Sequence, residues 1–144
     1  MTLRDMSTIT ENQADIIDTF SFFEDWTERY QMLISMGQKL TFPTEKQTDT
    51  YLVKGCQSQV WFDAWYENGV MHYQGISDST IVSGLLAVLL KVYNHQPPQA
   101  IVDTPADFIR DIGFESHLSP TRKNGLAAML TTLKQRAKDA VDAA

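Results

Sequence analysis

The N-terminal part of the chain carries apolar residues at helical spacing. Thr10, with Gln13 three residues later, fits a capping box, which predicts a helix over residues 11–22. A second apolar stripe predicts another helix over residues 25–39. The two helices are expected to form a helical hairpin whose apolar stripes face the core.

A β-hairpin is the next predicted element. The period changes to two over residues 60–67, and Asn68-Gly69 follows at once, which is the strongest short-range signal for a type I′ turn. Residues 70–74 are therefore expected to return antiparallel to the first strand. Residues 51–53 are expected to add a short third strand.

Helical patterns return after the hairpin and continue to the end of the chain. Ser77 or Asp78 is expected to cap the first of these helices, which is apolar nearly all round and so central to the core. Ser119 followed by Pro120 places proline at the first position of the last helix. The predicted helices span residues 79–93, 98–102, 105–112 and 120–140. The predicted fold class is α+β, with several helices packed on one face of a small antiparallel sheet of about three strands.

Composition limits the function classes. The chain has 144 residues, of which 43% are hydrophobic and 21% charged, as expected for one globular domain. The formal net charge of −6 and the lack of a Lys/Arg cluster argue against nucleic-acid binding. The most apolar stretch, residues 81–90, is too short to span a bilayer, and the N-terminus lacks the apolar core of a signal peptide. We expect a cytoplasmic protein without a membrane anchor, in which a free thiol stays reduced.

The chain has one cysteine, Cys56, preceded by Gly55. A single thiol forms no internal disulfide and supplies too few ligands for a thiolate metal site. If Cys56 has a chemical role, it acts as a nucleophile or carries a group on sulfur. The alternative, a small buried hydrophobe, stays open, because reactivity depends on a thiolate that sequence does not show.

Several motifs together resemble the SufE family of sulfur acceptors, including the related CsdE proteins. The resemblance extends over roughly residues 15–138, and the loop 41–50 departs from the family. Residues 1–10 are interpreted as an N-terminal extension and residues 11–144 as a single SufE-like domain. The matching residues are Gly55-Cys56-Gln57-Ser58-Gln59-Val60-Trp61, Gly75 with Ser77-Asp78, Gly84-Leu85, His117-Leu118-Ser119-Pro120 with Arg122, and Gly125-Leu126.

The resemblance implies a SufE/IscU-like fold and a function in iron–sulfur cluster assembly. A SufS-like or CsdA-like cysteine desulfurase would pass persulfide sulfur to Cys56, and the chain would stimulate that enzyme and relay the sulfur to a cluster scaffold. Pyridoxal phosphate would belong to the desulfurase, so the chain itself is expected to need no cofactor and no metal, and not to be an enzyme. A homodimer stays open.

The resemblance and the residue types together give a set of candidate site residues around the carrier. Asp78 is interpreted first as a helix N-cap and second as a support for the cysteine loop. Arg122 opposes the dipole of its helix, which favours a binding role. Trp61 and Trp65 share one strand face and are interpreted as core residues. The partner-binding or loop-supporting candidates are Gly55, Gln57, Ser58, Gln59, Asp78, His117 and Arg122.

Other thiol functions compete with the carrier. A cysteine hydrolase would need a histidine within reach of the sulfur, and a peroxidase or redox sensor would need a depressed thiol pKa. A cluster scaffold would need more soft ligands than one cysteine supplies. A carrier needs shelter from oxidation, so we expect Cys56 to rest in an apolar pocket beside the hairpin and to swing out on docking.

Overall fold

The computed structural model describes residues 7–144, and residues 1–6 of the expected N-terminal extension lie outside the described residues. Seven α-helices and two strands follow in the order ααββααααα, with two short 3₁₀ turns before the first strand, within this described range. Their bounds are α1 Ile9–Ser21, α2 Trp26–Gln38, β1 Val60–Glu67, β2 Val70–Ser77, α3 Thr80–Tyr93, α4 Pro98–Asp103, α5 Phe108–Ile112, α6 Phe114–His117 and α7 Pro120–Ala143, with the 3₁₀ turns at Thr44–Lys46 and Asp49–Tyr51. The predicted α+β class is confirmed.

Helix α1 begins earlier than its sequence pattern predicted. Its N-cap is Thr8, whose hydroxyl accepts a hydrogen bond from Glu11 N at 3.1 Å, while the Glu11 carboxylate accepts one from Thr8 N at 3.1 Å. The capping box predicted at Thr10 is therefore wrong. Two overlapping boxes were available, and the earlier one places Ile9 in the core at 3% exposure.

Glycines let α2 cross α3 at close range. A Cβ on Gly84 would lie 2.4 Å from the carbonyl oxygen of Leu33, and one on Gly37 would lie 2.5 Å from Gly84 N. Real side chains do not make such contacts, so the two helix backbones meet directly at this crossing. The crossing fixes the orientation of α3, whose residues are buried on nearly every side.

The predicted hairpin is confirmed, with a longer return strand than expected. Its antiparallel register pairs Val60 with Ser77 at the open end and Glu67 with Val70 at the turn. Asn68 and Gly69 both have positive φ, 55° and 83°, as a type I′ turn requires.

The sheet has two strands in the described residues, not the expected three. Residues 51–53 supply one isolated bridge, between Leu52 and Trp61, because Tyr51 is already part of a 3₁₀ turn. The other edge of the sheet, along β2, is partly covered by the segment after α3. The side-chain amide of Asn94 takes the place of a neighbouring strand there. It accepts a hydrogen bond from Tyr73 N at 2.9 Å and donates one to Tyr73 O at 3.1 Å.

The face of β1 that packs on the core carries Val60, Phe62 and Ala64. The tryptophans lie on the other face, where Trp65 is 39% exposed, so the core interpretation of Trp61 and Trp65 is wrong. A period of two predicts two faces but does not say which one is covered, and here α3 and α7 pack on the face with smaller residues.

The C-terminal half agrees with the predicted helices in most places. The helix predicted over residues 105–112 is shorter, and Gly113, with φ 96°, ends it as expected before the short α6 that the sequence analysis missed. Ser119 caps α7 as predicted. Helix α7 is joined to the sheet by a hydrogen bond from the Tyr73 hydroxyl to Leu133 O at 2.8 Å.

Candidate functional site

The single cysteine lies in a short loop, residues 54–59, that leads into β1. The loop is closed at its base by a hydrogen bond from Val53 N to Val60 O at 2.8 Å. The Leu52–Trp61 bridge continues this pairing by one step. A fixed base of this kind lets a loop present a side chain reproducibly.

Gly55 makes the turn that brings the loop onto α7. Its φ is 91°, in the region that side chains disfavour, and a Cβ there would lie 3.3 Å from Ala128 Cβ. The backbone conformation therefore favours glycine immediately before Cys56, and the close approach of α7 adds to this preference.

The Cys56 side chain rests against the backbone of α7. Its Sγ lies 3.6 Å from the carbonyl oxygen of Gly125, within range of a weak S–H hydrogen bond. The residue is half-buried, and burial raises the pKa of the Cys56 thiol. At neutral pH the resting group is therefore a thiol rather than a thiolate.

The thiol faces a cleft of about 600 Å³. The expectation of an apolar pocket is wrong, because Val82 is the one aliphatic side chain among the cleft-lining residues in the described part of the chain. The other lining groups are hydroxyls, an amide, a guanidinium and a glycine. The lining residues are Cys56, Gln57, Ser58, Ser79, Val82, Ser119, Thr121, Arg122 and Gly125.

Two helix N-termini meet at this cleft. Ser79 caps α3 by accepting from Val82 N at 3.4 Å, and Ser119 caps α7 by accepting from Arg122 N at 3.3 Å. Each helix presents the positive end of its dipole there, and the exposed Arg122 side chain adds a full positive charge. Partial burial therefore disfavours the thiolate form of Cys56, whereas these fixed positive groups favour a negative charge in the cleft.

Asp78 supports the cysteine loop from the end of β2. Its carboxylate accepts a hydrogen bond from Gln59 N at 3.1 Å, and its own N–H donates to Gln59 O at 3.2 Å. The Ser77 hydroxyl donates to the same carbonyl at 2.8 Å. The N-cap interpretation of Asp78, and of Ser77, is wrong, since Ser79 occupies that position.

His117 is held outside the cleft. Its ring stacks on Trp26 with 4.0 Å between centroids, and its Nδ1 lies 3.1 Å from Gly113 O. The Tyr30 hydroxyl donates to the His117 carbonyl oxygen. Thus Gln57, Ser58 and Arg122 share the cleft with Cys56, whereas His117 belongs to a neighbouring aromatic stack.

Sequence reasoning missed several residues that form the cleft. Ser79, Val82 and Thr121 carried no signal, because they are ordinary helix-start residues far from Cys56 in sequence. Gly125 was within a matched motif without a role, and Ser119 was predicted as a helix cap but not as part of the site. Among residues 7–144, no group of three or more His, Cys, Asp or Glu side chains is arranged to hold a metal ion.

Comparison with known proteins gives the family. The SufE model, described as an Fe–S metabolism associated domain, matches residues 14–137. The chain belongs to the SufE family. A SufE-like protein of Rhizobium etli is 38% identical over 129 residues, which cover 85% of this chain and 87% of that protein. A SufE-like protein of Synechocystis is 35% identical over 132 residues, covering 91% and 83%.

The fold of this SufE protein also has a solved counterpart. The solution structure of a hypothetical protein from Thermus thermophilus superposes with a TM-score of 0.75, covering 91% of this chain and 96% of that one at 22% identity. The family places the chain in Fe–S metabolism as a sulfur acceptor in the broad sense. Within the described residues, no helix combines the length and apolarity needed to cross a membrane.

Proposed function

We propose that this SufE protein receives persulfide sulfur from a cysteine desulfurase on Cys56, stimulates that enzyme and relays the sulfur to iron–sulfur cluster assembly. The observation that carries the proposal is the position of the thiol. It is half-buried beside the core, makes a weak hydrogen bond to Gly125 O, and is located on a loop whose turn is made by Gly55. Such a group is sheltered at rest and can be delivered without unfolding the core.

The transfer step is a displacement at sulfur. The Cys56 thiolate attacks the outer sulfur of the persulfide on the desulfurase, forming a new S–S bond to Cys56 Sγ. The S–S bond of the donor breaks, and the donor cysteine leaves with the electron pair as a thiolate. The proton lost by Cys56 is balanced by the one that the donor takes up, and no external oxidant or reductant is consumed.

The chain is suited to keep the cargo once it has arrived. A second thiol nearby would attack the persulfide and release sulfide with formation of a disulfide, and Cys56 is the single cysteine of the sequence. The cleft leaves room beyond Sγ, and its positive groups favour an anionic persulfide there.

The other candidate residues have roles in this proposal according to their positions. Arg122 would pair with the anionic persulfide, and Gln57 and Ser58 would hydrogen-bond the transferring sulfur or its surroundings. Asp78 would hold the loop closed at rest through Gln59. His117 would contribute to the surface that meets the partner enzyme.

The partner would supply the bond-breaking chemistry. We propose that pyridoxal phosphate is bound by the desulfurase, that this chain acts without a cofactor of its own as an activator rather than an enzyme, and that it works in the cytoplasm. A downstream Fe–S scaffold would then accept the sulfur from Cys56.

A thiol hydrolase or peroxidase is less compatible with the site. Among the residues lining the cleft in the described chain there is no imidazole or carboxylate that could serve as the base of a hydrolase. A peroxidase needs a depressed thiol pKa, whereas burial raises the pKa of Cys56.

Intact mass measurement tests the proposal. After incubation with a SufS-type desulfurase and free cysteine, the wild-type chain should gain the mass of one sulfur atom and Cys56→Ser should gain none. Turnover of the desulfurase should rise with wild type only. Absence of the added sulfur would refute the carrier function, and equal stimulation by Cys56→Ser would show activation by docking alone.

A further inference from the structure

A phenylalanine stands exposed at the corner between α1 and α2. Phe22 is 81% exposed, the largest value among the exposed large hydrophobic side chains of the described residues. Its ring and that of Phe23 make a T-shaped contact, with 5.3 Å between centroids and 90° between planes. A phenylalanine side chain has only two rotatable bonds, so a partner that covers it orders little conformational freedom for the apolar area it gains.

The chain segment that contains Phe22 is acidic. Arg29 is the one cation between residues 18 and 30, and it is turned toward the protein: its Nε donates to Phe23 O at 2.9 Å, a terminal nitrogen donates to Ile112 O at 3.2 Å, and its guanidinium lies over Trp26. The carboxylates of the corner are exposed to solvent. They belong to Asp18, Glu24, Asp25 and Glu28.

The corner is connected to the Cys56 cleft. Trp26, on the first turn of α2, stacks on His117, and Tyr30 of the same helix bonds the His117 carbonyl oxygen. Ser119, which lines the cleft, follows His117 by two residues, a span of about 7 Å at most. The first turns of α2, which follow the corner in the chain, are therefore linked through residues 117–119 to the border of the cleft.

We propose that Phe22 and its four surrounding carboxylates form a docking knob that inserts into an apolar recess rimmed by Lys and Arg on the desulfurase. The inference rests on the proposed function, because it assigns the corner to the enzyme that loads Cys56. A central aromatic anchor inside a polar rim is the usual arrangement of an interface hot spot. Charge complementarity argues for a basic partner surface and speeds its association.

Binding measured separately from sulfur transfer tests the docking knob. Calorimetric titration of a SufS-type desulfurase with the Cys56→Ser chain gives the affinity without any transfer. In that background Phe22→Ala should weaken binding about tenfold or more, as expected for a hot-spot anchor. Because the ring is largely exposed, its removal should leave the melting temperature unchanged. Tyr66→Ala is the matched control, since Tyr66 is also exposed, at 57%, and lies beside the hairpin turn at the end of β1 away from the Cys56 loop. The Tyr66→Ala variant should bind like the parent.

A charge reversal provides an independent readout of the same surface. Glu24→Lys should slow association and reduce its dependence on salt, whereas Glu67→Lys at the hairpin turn should not. Phe22→Ala binding as tightly as the parent would overturn the docking knob, and so would a parent chain that does not bind. The docking knob would also be overturned if Phe22→Ala abolished a homodimer of this protein but left its affinity for the desulfurase unchanged. In that case Phe22 would bind a second copy of the chain and not the desulfurase. Failure of the carrier function itself is recognised separately, by absence of the added sulfur mass on the wild-type chain.

Discussion

The carboxylate of Asp78 and the backbone N–H of Gln59 are joined by a 3.1 Å hydrogen bond, and the Asp78 N–H returns a bond to the Gln59 carbonyl oxygen at 3.2 Å. This reciprocal pair extends the β1–β2 ladder one step past Val60 and Ser77. It fixes the C-terminal end of the cysteine loop to the end of β2. The N-terminal part of the loop, which carries Cys56, is held to α7 by the much weaker thiol contact.

Removing the Asp78 carboxylate should release the loop. Asp78→Ala leaves the Gln59 N–H without its side-chain acceptor, and we expect alkylation of Cys56 to become several-fold faster. The free energy of unfolding should fall by about 1 kcal/mol, the worth of one hydrogen bond. Asp78→Asn keeps an acceptor oxygen and should resemble wild type. Equal alkylation rates in Asp78→Ala and wild type would show that this pair does not control access to the thiol.

The reactivity of Cys56 should respond to pH according to its raised pKa. Burial favours the neutral thiol, so the midpoint of iodoacetamide alkylation should lie at higher pH in the folded chain than in the same chain unfolded in urea. The associated stability is present below the unfolded pKa and is lost as pH rises through the folded pKa. Cys56→Ser should lack this alkaline component. A midpoint lower than that of the unfolded chain would mean that the helix N-termini and Arg122 outweigh burial.

Arg122 should affect the charged cargo more than the fold. Its side chain is exposed and has no hydrogen-bond or ion-pair partner within residues 7–144, so Arg122→Ala should leave the melting temperature nearly unchanged. The fraction of Cys56 that carries persulfide at a fixed time should drop. Arg122→Lys keeps the positive charge and should recover part of it, whereas identical loading of all three chains would argue against pairing with the anion.

Gly125→Ala should separate stability from function. A methyl group there would lie 3.9 Å from Cys56 Sγ, an ordinary contact, and alanine is favoured over glycine in a helix by about 1 kcal/mol. Thermal unfolding should therefore occur at a higher temperature. The methyl group narrows the cleft beside the thiol, so persulfide loading measured by intact mass should be slower. Faster loading would show that the outer sulfur does not occupy this part of the cleft.

Gly84→Ala, at the crossing of α2 and α3, should lower stability, whereas Gly125→Ala should raise it. A Cβ at Gly84 would lie 2.4 Å from Leu33 O, a backbone atom that cannot move aside. We expect Gly84→Ala to cost about 3 kcal/mol in denaturant titrations, through overpacking at a rigid contact. Gly125→Ala, also in a helix, is its control. A stability loss below about 1 kcal/mol would show that the helices can separate at low cost.

Local signals predicted the elements whose start or turn is decided by adjacent residues. Asn68-Gly69 makes the hairpin turn and Ser119 caps α7, each where the sequence pattern placed it, and α2 begins within one residue of its predicted start, with Asp25 as its N-cap. Where two local signals compete, the pattern could not choose: Thr8 and Thr10 both begin a capping box, and burial of Ile9 decides between them.

The site could be predicted only in part. The cysteine motif and its glycine were recognisable, but the contact between Cys56 and Gly125 joins residues 69 positions apart and leaves no local mark. For Asp78 the sequence left two interpretations, a helix N-cap and a support for the cysteine loop, and the structure decides for the second because Ser79 is the helix cap. The cleft is polar because residues 56–58, 79–82 and 119–125 meet there. The hydrophobic pattern within any one of these segments does not reveal that meeting.

The contact between Cys56 and α7 also has a consequence during synthesis. The ribosome completes the sulfur-bearing loop well before it makes the final helix that covers it, and residues still inside the exit tunnel cannot fold onto the rest. Until α7 emerges, the nascent thiol lacks the helix backbone against which it rests and is more open to oxidants and electrophiles. The sulfur is therefore sheltered only after α7 has been made, and a chain cut before α7 would leave its cysteine without this contact.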